Sequence, residues 1–450
     1  MSNSDTICAL ATAPGGALGI IRISGPNAVG IAGSVCCGIT ATTPANTIHF
    51  TRLIDGNEVV DEAMVSVFKA PHSYTGEDSV EISCHGSRYI LNKVLELLIQ
   101  KGCRMAQPGE FTKRAYLNGK MDLSQAEAVA DLIASTNRAS HQMAMSQLRG
   151  HFSSELKVLR EQLLKLTSLL ELELDFSDHE DLEFADRTEL KALSESIDNH
   201  ITRLARSFET GQALKQGIPV AIVGKTNVGK STLLNRLLHE DRAIVSDIHG
   251  TTRDTIEDTI DLHGVTFRFI DTAGIRQTTD QIEQIGIDRT YQAIDKARIV
   301  LWLIDELPSK EEIQDMTART QGRTLLPIHT KTDLRPQCCD HIAALAPVLS
   351  ISAKTGQGIA QLEEAIYHSA NIPTLTDADT IVTNARHYDA LQRAHASLQR
   401  VLDGMAQRLS GDLLAEDLRL ALDQLAEITG TKITPNEVLG NIFRHFCVGK

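Results

Sequence analysis

Pro219-Val220-Ala221-Ile222-Val223 is a short apolar run, and Gly224-Lys225-Thr226-Asn227-Val228-Gly229-Lys230-Ser231-Thr232 follows it directly. Leu233, Leu234, Leu237 and Leu238 then recur at helical spacing. G-x-x-x-x-G-K-S between a strand and a helix is an arrangement that cradles phosphates. Its glycines let backbone N–H groups turn toward phosphate oxygens, and the helix N-terminus adds partial positive charge. Lys230 is expected to reach the β- and γ-phosphates and the Ser231 hydroxyl to ligate Mg²⁺, with Val228, Gly229 and Thr232 in the same cradle. A glycine turn that matched by accident would not bring both the strand and the helix with it.

Three further segments follow in a telling order. Asp271, Thr272, Ala273 and Gly274 come after the apolar run 265–270, where a carboxylate can approach the metal and a glycine can sense the γ-phosphate. Thr330, Lys331, Thr332 and Asp333 come after an expected strand at 324–329. The two carboxylate oxygens of Asp333 suit the paired N–H donors of guanine, which adenine lacks. Ser352, Ala353 and Lys354 then close the base pocket. Together these pieces read as a guanine-nucleotide site. In one place the chain departs from the usual Asn-Lys-x-Asp pattern: Thr330 stands where Asn is customary, and a hydroxyl reaches less far.

The hydrolytic residues are less orthodox. Ser246, Asp247, Ile248, His249, Gly250, Thr251 and Thr252 are expected to border the nucleotide, with Thr252 as the second Mg²⁺ ligand. A water-orienting glutamine commonly lies beside the glycine of D-x-x-G, but Ile275 occupies that place and cannot do the work. Either hydrolysis is very slow, or another carboxylate and another positive charge take over. Asn227 carries an amide oxygen near the β,γ-bridge region. It could help ligate a monovalent cation, and a plain hydrogen bond within the loop is the equal alternative.

The totals bound what these motifs serve. At 450 residues the length suggests about three domains, and a 42% hydrophobic content is ample for their cores. No window holds ~18 uninterrupted apolar residues, so no membrane span is expected. The N-terminus has neither a basic flank nor a signal-like apolar stretch, and eight scattered cysteines without C-x-x-C suggest reduced thiols in a cytoplasm. A net charge of −14 argues against a non-specific nucleic-acid coat, though not against a local basic patch.

The elements that must position these residues can be read in order. Residues 1–118 read as α+β: strands at 6–11 and 18–23 flank a Pro14-Gly15-Gly16 turn, Ala63, Val65 and Val67 alternate, as do Val80 and Ile82, and 89–99 has helical spacing. His85, at a strand end, reads as a structural histidine rather than a catalyst. From Pro108 the texture becomes helical, through Leu123, Ala126 and Ala130 and on through Leu156, Leu159, Leu163, Leu166 and Leu170 to about residue 176. An acidic break at 175–183 reads as a solvated loop, and a second helix is expected over 188–212. The P-loop domain is expected at 217–374, with a hairpin turning at His263-Gly264. Helical periodicity returns from Leu391 onward, and a capping box at Thr434-Pro435-Asn436-Glu437 opens a last helix. The simplest architecture is therefore multidomain: an α+β N-terminal domain and an all-α helical domain (119–216 and 375–450) into which an α/β P-loop GTPase domain is inserted.

With those motifs in hand, the chain resembles the MnmE (TrmE) family of tRNA-modifying GTPases from end to end. The carrying segments are Asp5-Thr6-Ile7, Ile21-Arg22-Ile23-Ser24-Gly25-Pro26, Tyr74-Thr75-Gly76-Glu77-Asp78 and Pro108-Gly109-Glu110-Phe111-Thr112-Lys113-Arg114-Ala115. Leu117-Asn118-Gly119-Lys120-Met121-Asp122-Leu123, Gln125-Ala126-Glu127-Ala128, Gly250-Thr251-Thr252-Arg253-Asp254 and the terminal Cys447-Val448-Gly449-Lys450 complete the set. The resemblance implies a homodimer formed through the N-terminal domain, which would bind 5-formyl- or 5,10-methylene-tetrahydrofolate through Arg22, Glu81, Lys120 and Lys450. It also implies K⁺ held by Asn227, Ser246, Ile248 and Thr251, in the place of an arginine finger, with Glu283 as the catalytic carboxylate that orients water. A flavin-containing partner, MnmG (GidA), would join in adding a carboxymethylaminomethyl or aminomethyl group to the wobble uridine of tRNA. Cys447 is either packed or adjacent to substrate. The competing reading is an Era-like ribosome-assembly switch, which shares the P-loop and D-T-A-G segments but has no use for Arg22, Glu81, Lys120 or the C-x-G-K tail.

Overall fold

The computed structural model describes residues 5–175, 187–240, 258–270, 291–334, 348–372, 380–407, 409–431, 439, 442–444, 446–447 and 449. Contacts divide the chain into two compact units, one drawing on Met1–Ala134, Ala144–Thr202 and Asp389–Lys450, the other on Ser135–Met143 and Arg203–Tyr388.

The first unit opens with strands β1 (Ile7–Leu10), β2 (Leu18–Ser24), β3 (Thr47–Asp55), β4 (Glu58–Phe68), β5 (Ser79–His85) and β6 (Arg104–Met105). They form one sheet in the order β3-β4-β5-β2-β1-β6, antiparallel except for β1 beside β6. Alternation makes one face apolar: Ile21, Ile23, Val65, Val67, Val80 and Ile82 are fully buried, together with Leu91, Val94 and Leu98 of the helix Arg88–Gln100. The same alternation turns Arg22 and Glu81 to the other face, and the β2–β5 register sets them directly opposite one another.

The helical part of this unit departs from the expected long period. Instead of running through to about residue 176, the chain forms Leu123–Ala134, Arg138–Leu148 and His151–Asp175. Two local devices break it. The Asn137 side chain accepts the Ser140 N–H at 2.7 Å, as a helix cap does, and Gly150 takes φ +84°, where a side chain would be strained. In the last of these helices Leu156, Leu159, Leu163, Leu166 and Leu170 form a buried stripe, and the helix Gly411–Thr429 packs on it through Leu414, Leu418, Leu425 and Ile428. Asp198 ties in the C-terminal helical segment, accepting from His395 Nδ1 at 2.6 Å and from Gln399 Nε2 at 2.7 Å.

The second unit is a doubly wound α/β fold. Its strands β7 (Ile218–Val223), β8 (Asp258–Leu262), β9 (Val265–Phe269), β10 (Ile299–Ile304), β11 (Thr324–His329) and β12 (Leu349–Ser350) lie in the order β12-β11-β10-β7-β9-β8. All pairs are parallel except the β8–β9 hairpin, whose two turn residues His263 (φ +55°) and Gly264 (φ +83°) have the left-handed backbone that such tight turns need. Central β10 reads Ile-Val-Leu-Trp-Leu-Ile and is buried throughout, because helices cover both sheet faces. Ile299, Leu301 and Leu303 join Val220 and Ile222 in one core, while Val300, Trp302 and Ile304 join Ala221 and Val223 in the other. The segment preceding Ala144 belongs here too: Asn137 Nδ2 donates to Thr266 Oγ1 at 2.8 Å, and the Ala139 N–H to the Gly264 carbonyl at 3.0 Å.

Candidate functional site: a nucleotide cradle at the carboxyl ends of the strands

In a parallel sheet the loops that leave the carboxyl ends of adjacent strands converge, and this is where such folds bind ligands. Here the P-loop leaves β7, Asp305 leaves β10, Thr330–Asp333 leaves β11 and Ser352 follows β12. Gly224 (φ +151°) lies so close to β10 that an added Cβ would stand 2.6 Å from the Leu303 carbonyl oxygen. Gly229 (φ +103°) and Asn227 (φ +59°) complete the left-handed positions that curl the loop before the helix Lys230–Glu240 begins.

Lys230 folds back over this loop, donating from Nζ to the carbonyls of Gly224 at 2.6 Å and Lys225 at 2.7 Å. Burial pushes its ammonium below the ordinary lysine range. A cation desolvated inside a ring of backbone groups is well placed to favour an anionic ligand. Asn227 is exposed, and among the described residues its carboxamide has no hydrogen-bond partner.

The base-reading segment is joined to the P-loop directly. The Thr330 hydroxyl, in a residue only 4% exposed, donates to the Val228 carbonyl at 2.8 Å. Ser352, itself buried, donates from Oγ to Asp333 Oδ1 at 2.8 Å and so fixes one edge of that carboxylate. Lys331 (φ +59°) pairs with Asp305 Oδ2 at 2.9 Å. The sequence reading missed Asp305, although a carboxylate directly after a wholly apolar parallel strand was a signal for it. It also missed Glu312. That residue closes a capping box with Ser309 at the start of the helix Lys310–Arg319, and it takes the Lys225 ammonium at 2.7 Å. Val228, Gly229, Ser231, Thr232, Thr332, Ala353 and Lys354 lie in these same loops and helix starts. Ser246, Asp247, Ile248, His249, Gly250, Thr251, Thr252, Asp271, Thr272, Ala273, Gly274, Ile275, Glu283, Lys450, the acidic stretch 176–183 and the capping box at 434–437 lie outside the described residues.

The N-terminal unit carries a second polar cluster. Glu81 Oε1 receives Arg22 Nε at 2.8 Å and Nη2 at 2.8 Å, while Arg22 Nη1 donates to the Gly449 carbonyl at 3.2 Å. The guanidinium lies 5.6 Å from the Tyr74 ring centroid and 5.7 Å from that of Phe111. Lys120 donates to the Pro71 carbonyl at 3.0 Å and runs beside Gly76 of the Tyr74–Asp78 loop. The tail is seated on the Gly109 turn, whose N–H donates to the Cys447 carbonyl at 3.3 Å, and the Cys447 side chain is exposed. Arg22, Glu81 and the residue before Lys450 are thus brought together. His85, at the end of β5, is paired with Asp61, which accepts its ring Nδ1 at 2.8 Å and its backbone N–H at 2.9 Å.

Beside this cluster, Arg114 ties the Tyr74–Asp78 and Pro108–Ala115 segments to each other. With its side chain only 5% exposed, it meets Asp5 at 2.7 Å, Glu77 at 3.2 Å and Glu110 at 3.2 Å, and Arg104 bridges Glu110 and Asp5 from outside. Burial acts to raise the Glu110 carboxyl, but Arg104, the Gln107 N–H and Arg114 together hold it below the ordinary value. Removing Arg114 takes the cation from the largely buried Glu77 while Arg104 still holds Asp5 and Glu110, so Arg114→Met is expected to cost about 1.5–3 kcal/mol in urea unfolding. Because the folded-state values of Glu110 and Asp5 are depressed, their contribution is present above a pH of about 4 and is lost as pH falls through the folded values. Unfolding midpoints that match the parent at neutral pH would show that the network does not hold the unit together.

A family model described as the TrmE N-terminus of a GTP-binding protein matches residues 6–120, and one described as the MnmE helical domain matches residues 123–447. The chain is 52% identical to the tRNA modification GTPase MnmE of Bacteroides fragilis over 472 aligned residues, covering 100% of each chain. It is 52% identical to that of Bacteroides thetaiotaomicron over 466 and 50% identical to that of Flavobacterium johnsoniae over 470, again at 100% of each. Identity of this depth along the whole length settles the lineage, and the chain belongs to the MnmE (TrmE) family of tRNA modification GTPases.

Proposed function

We propose that this chain hydrolyses GTP as one component of an enzyme that adds a carboxymethylaminomethyl or aminomethyl group to the wobble uridine of tRNA. The observation that carries the reading is the full-length identity to relatives of that name, on a chain whose P-loop and base-reading segment are hydrogen-bonded to each other. GTP with Mg²⁺ belongs at the P-loop: Lys230 and Ser231 meet the phosphates and the metal, and Asp333 takes the guanine edge. Thr252 is the second metal ligand in this reading.

The finer parts rest on the family resemblance together with local fit. K⁺ would be held by Asn227, Ser246, Ile248 and Thr251 and would add positive charge at the β,γ-bridge. The carboxamide of Asn227, without a partner among the described residues, suits that role. Glu283 would orient the attacking water. A tetrahydrofolate would be held by Arg22, Glu81, Lys120 and Lys450. Glu81 Oε2 has no partner among the described residues, so it can accept from a pterin N–H while Oε1 stays on Arg22. The division of labour is then folate binding and pairing by residues 1–118, GTP turnover by 217–374, and a helical frame from 119–216 and 375–450. A flavoprotein partner, MnmG (GidA), and a cytoplasmic setting complete the reading. Consistent with it, no helix among the described residues is long and apolar enough to cross a membrane.

Two measurements test it. Nucleosides from the tRNA of cells lacking this chain should show an unmodified wobble uridine, with the modification restored on re-expression; unchanged nucleosides would overturn the proposal. Calorimetry with 5-formyltetrahydrofolate should show binding that Arg22→Ala combined with Lys120→Ala removes. Binding that survives the double change would place the folate elsewhere.

A further inference from the structure

The base-reading segment departs from the usual pattern at Thr330, and the structure shows where each of its donors goes. The backbone N–H donates to the Ile304 carbonyl at 2.8 Å. The single hydroxyl proton goes to the Val228 carbonyl at 2.8 Å, with the Ile304 carbonyl as a longer second acceptor at 3.4 Å. A threonine has no other donor, whereas an asparagine amide has two N–H groups. Two of the neighbouring backbone donors are committed as well, Thr332 N–H to the Ile351 carbonyl at 3.3 Å and Leu334 N–H to the Lys331 carbonyl at 2.9 Å.

Guanine presents two kinds of edge. Its N1–H and exocyclic amine are donors that a carboxylate can take, while O6 and N7 are acceptors that require donors. With Asp333 on the donor edge and the P-loop on the phosphates, a bound base lies between them. Thr330 comes three residues before Asp333 and is hydrogen-bonded to the P-loop itself.

We infer that Thr330 itself offers guanine N7 no hydrogen-bond donor, so that N7 adds little to base selection and the Thr330 hydroxyl serves instead to fasten β11 to the P-loop. This rests on the nucleotide site proposed above and adds to it that the N7 corner of the base goes unread by Thr330. An asparagine at this position could keep the Val228 contact with one amide hydrogen and offer the other to N7.

The test uses 7-deaza-GDP, in which a C–H replaces N7 and the Asp333 edge is untouched. Competition against a fluorescent guanine nucleotide on the full chain gives both affinities. The parent is expected to bind GDP and 7-deaza-GDP within about twofold of each other, since no hydrogen bond is lost. Thr330→Asn is expected to favour GDP over 7-deaza-GDP by roughly three- to tenfold, the range of one added hydrogen bond. Thr330→Val, which removes the hydroxyl at nearly constant shape, should leave the ratio near one even where both affinities fall. A parent that already prefers GDP by about tenfold would overturn the inference, because N7 would then have a donor, and this measurement stands even where a variant fails to fold. A chain that binds neither nucleotide would instead bring down the nucleotide site on which the inference rests.

Discussion

GTP turnover by this chain is expected to fall by on the order of 10³ when K⁺ is replaced by Na⁺, the lower end of what a positive charge at the β,γ-bridge contributes to phosphoryl transfer. Ile275 occupies the place beside D-x-x-G from which a glutamine would orient water, and Arg253 and Arg276 are the only nearby candidates for a finger. Asn227 stands in the P-loop, exposed, with its carboxamide unpartnered among the described residues. Asn227→Ala should therefore abolish the difference between K⁺ and Na⁺ yet leave Mg²⁺-GTP binding largely intact, because Lys230 and Ser231 remain. Glu283→Ala should slow turnover in K⁺ without removing the ion response. The rate per molecule should also rise with protein concentration wherever pairing of the nucleotide domains is incomplete. Equal rates in the two salts, with Arg253→Ala or Arg276→Ala the damaging change, would assign the charge to an arginine.

How far this site could be read from sequence depended on how local each piece was. The P-loop was legible because its glycines, lysine and serine are contiguous and lie between an apolar strand and a leucine-striped helix. The β8–β9 hairpin was legible because His263-Gly264 separates two alternating runs, and the structure turns there with both residues left-handed. The long helical stretch after residue 123 was over-read, because leucine spacing reports which face is buried and not where a helix stops. Asn137 and Gly150 carried that information in single residues.

Contacts between distant segments were beyond reach. Arg22 and Glu81 were each visible as polar residues in strands, but their pairing needed the β2–β5 register, which no local pattern states. Thr330 was visible as a departure. Its attachment to a carbonyl 102 residues earlier, the contact that decides what its hydroxyl can do, required the fold. Arg114 went unremarked as a centre of charge because its partners Asp5, Glu77 and Glu110 come from three separate segments.

The most direct test of the central claim, that the carboxyl ends of these strands form a guanine-nucleotide site, is the affinity of Asp333→Asn for GDP and for XDP. The parent carboxylate matches the N1–H and amine of guanine, and losing that charged hydrogen bond should weaken GDP by about 1.5–3 kcal/mol, or tenfold and more. An amide at the same place offers an N–H to the carbonyl that replaces guanine's amine in xanthine, so XDP should become the preferred ligand. Asn keeps an Oδ1 to accept the Ser352 hydroxyl, which in the parent donates to Asp333 Oδ1 at 2.8 Å, so the pocket itself is expected to persist. The expected result is a reversal of preference from GDP to XDP. An unchanged preference for GDP in the folded variant would contradict it and remove Asp333 from the pocket.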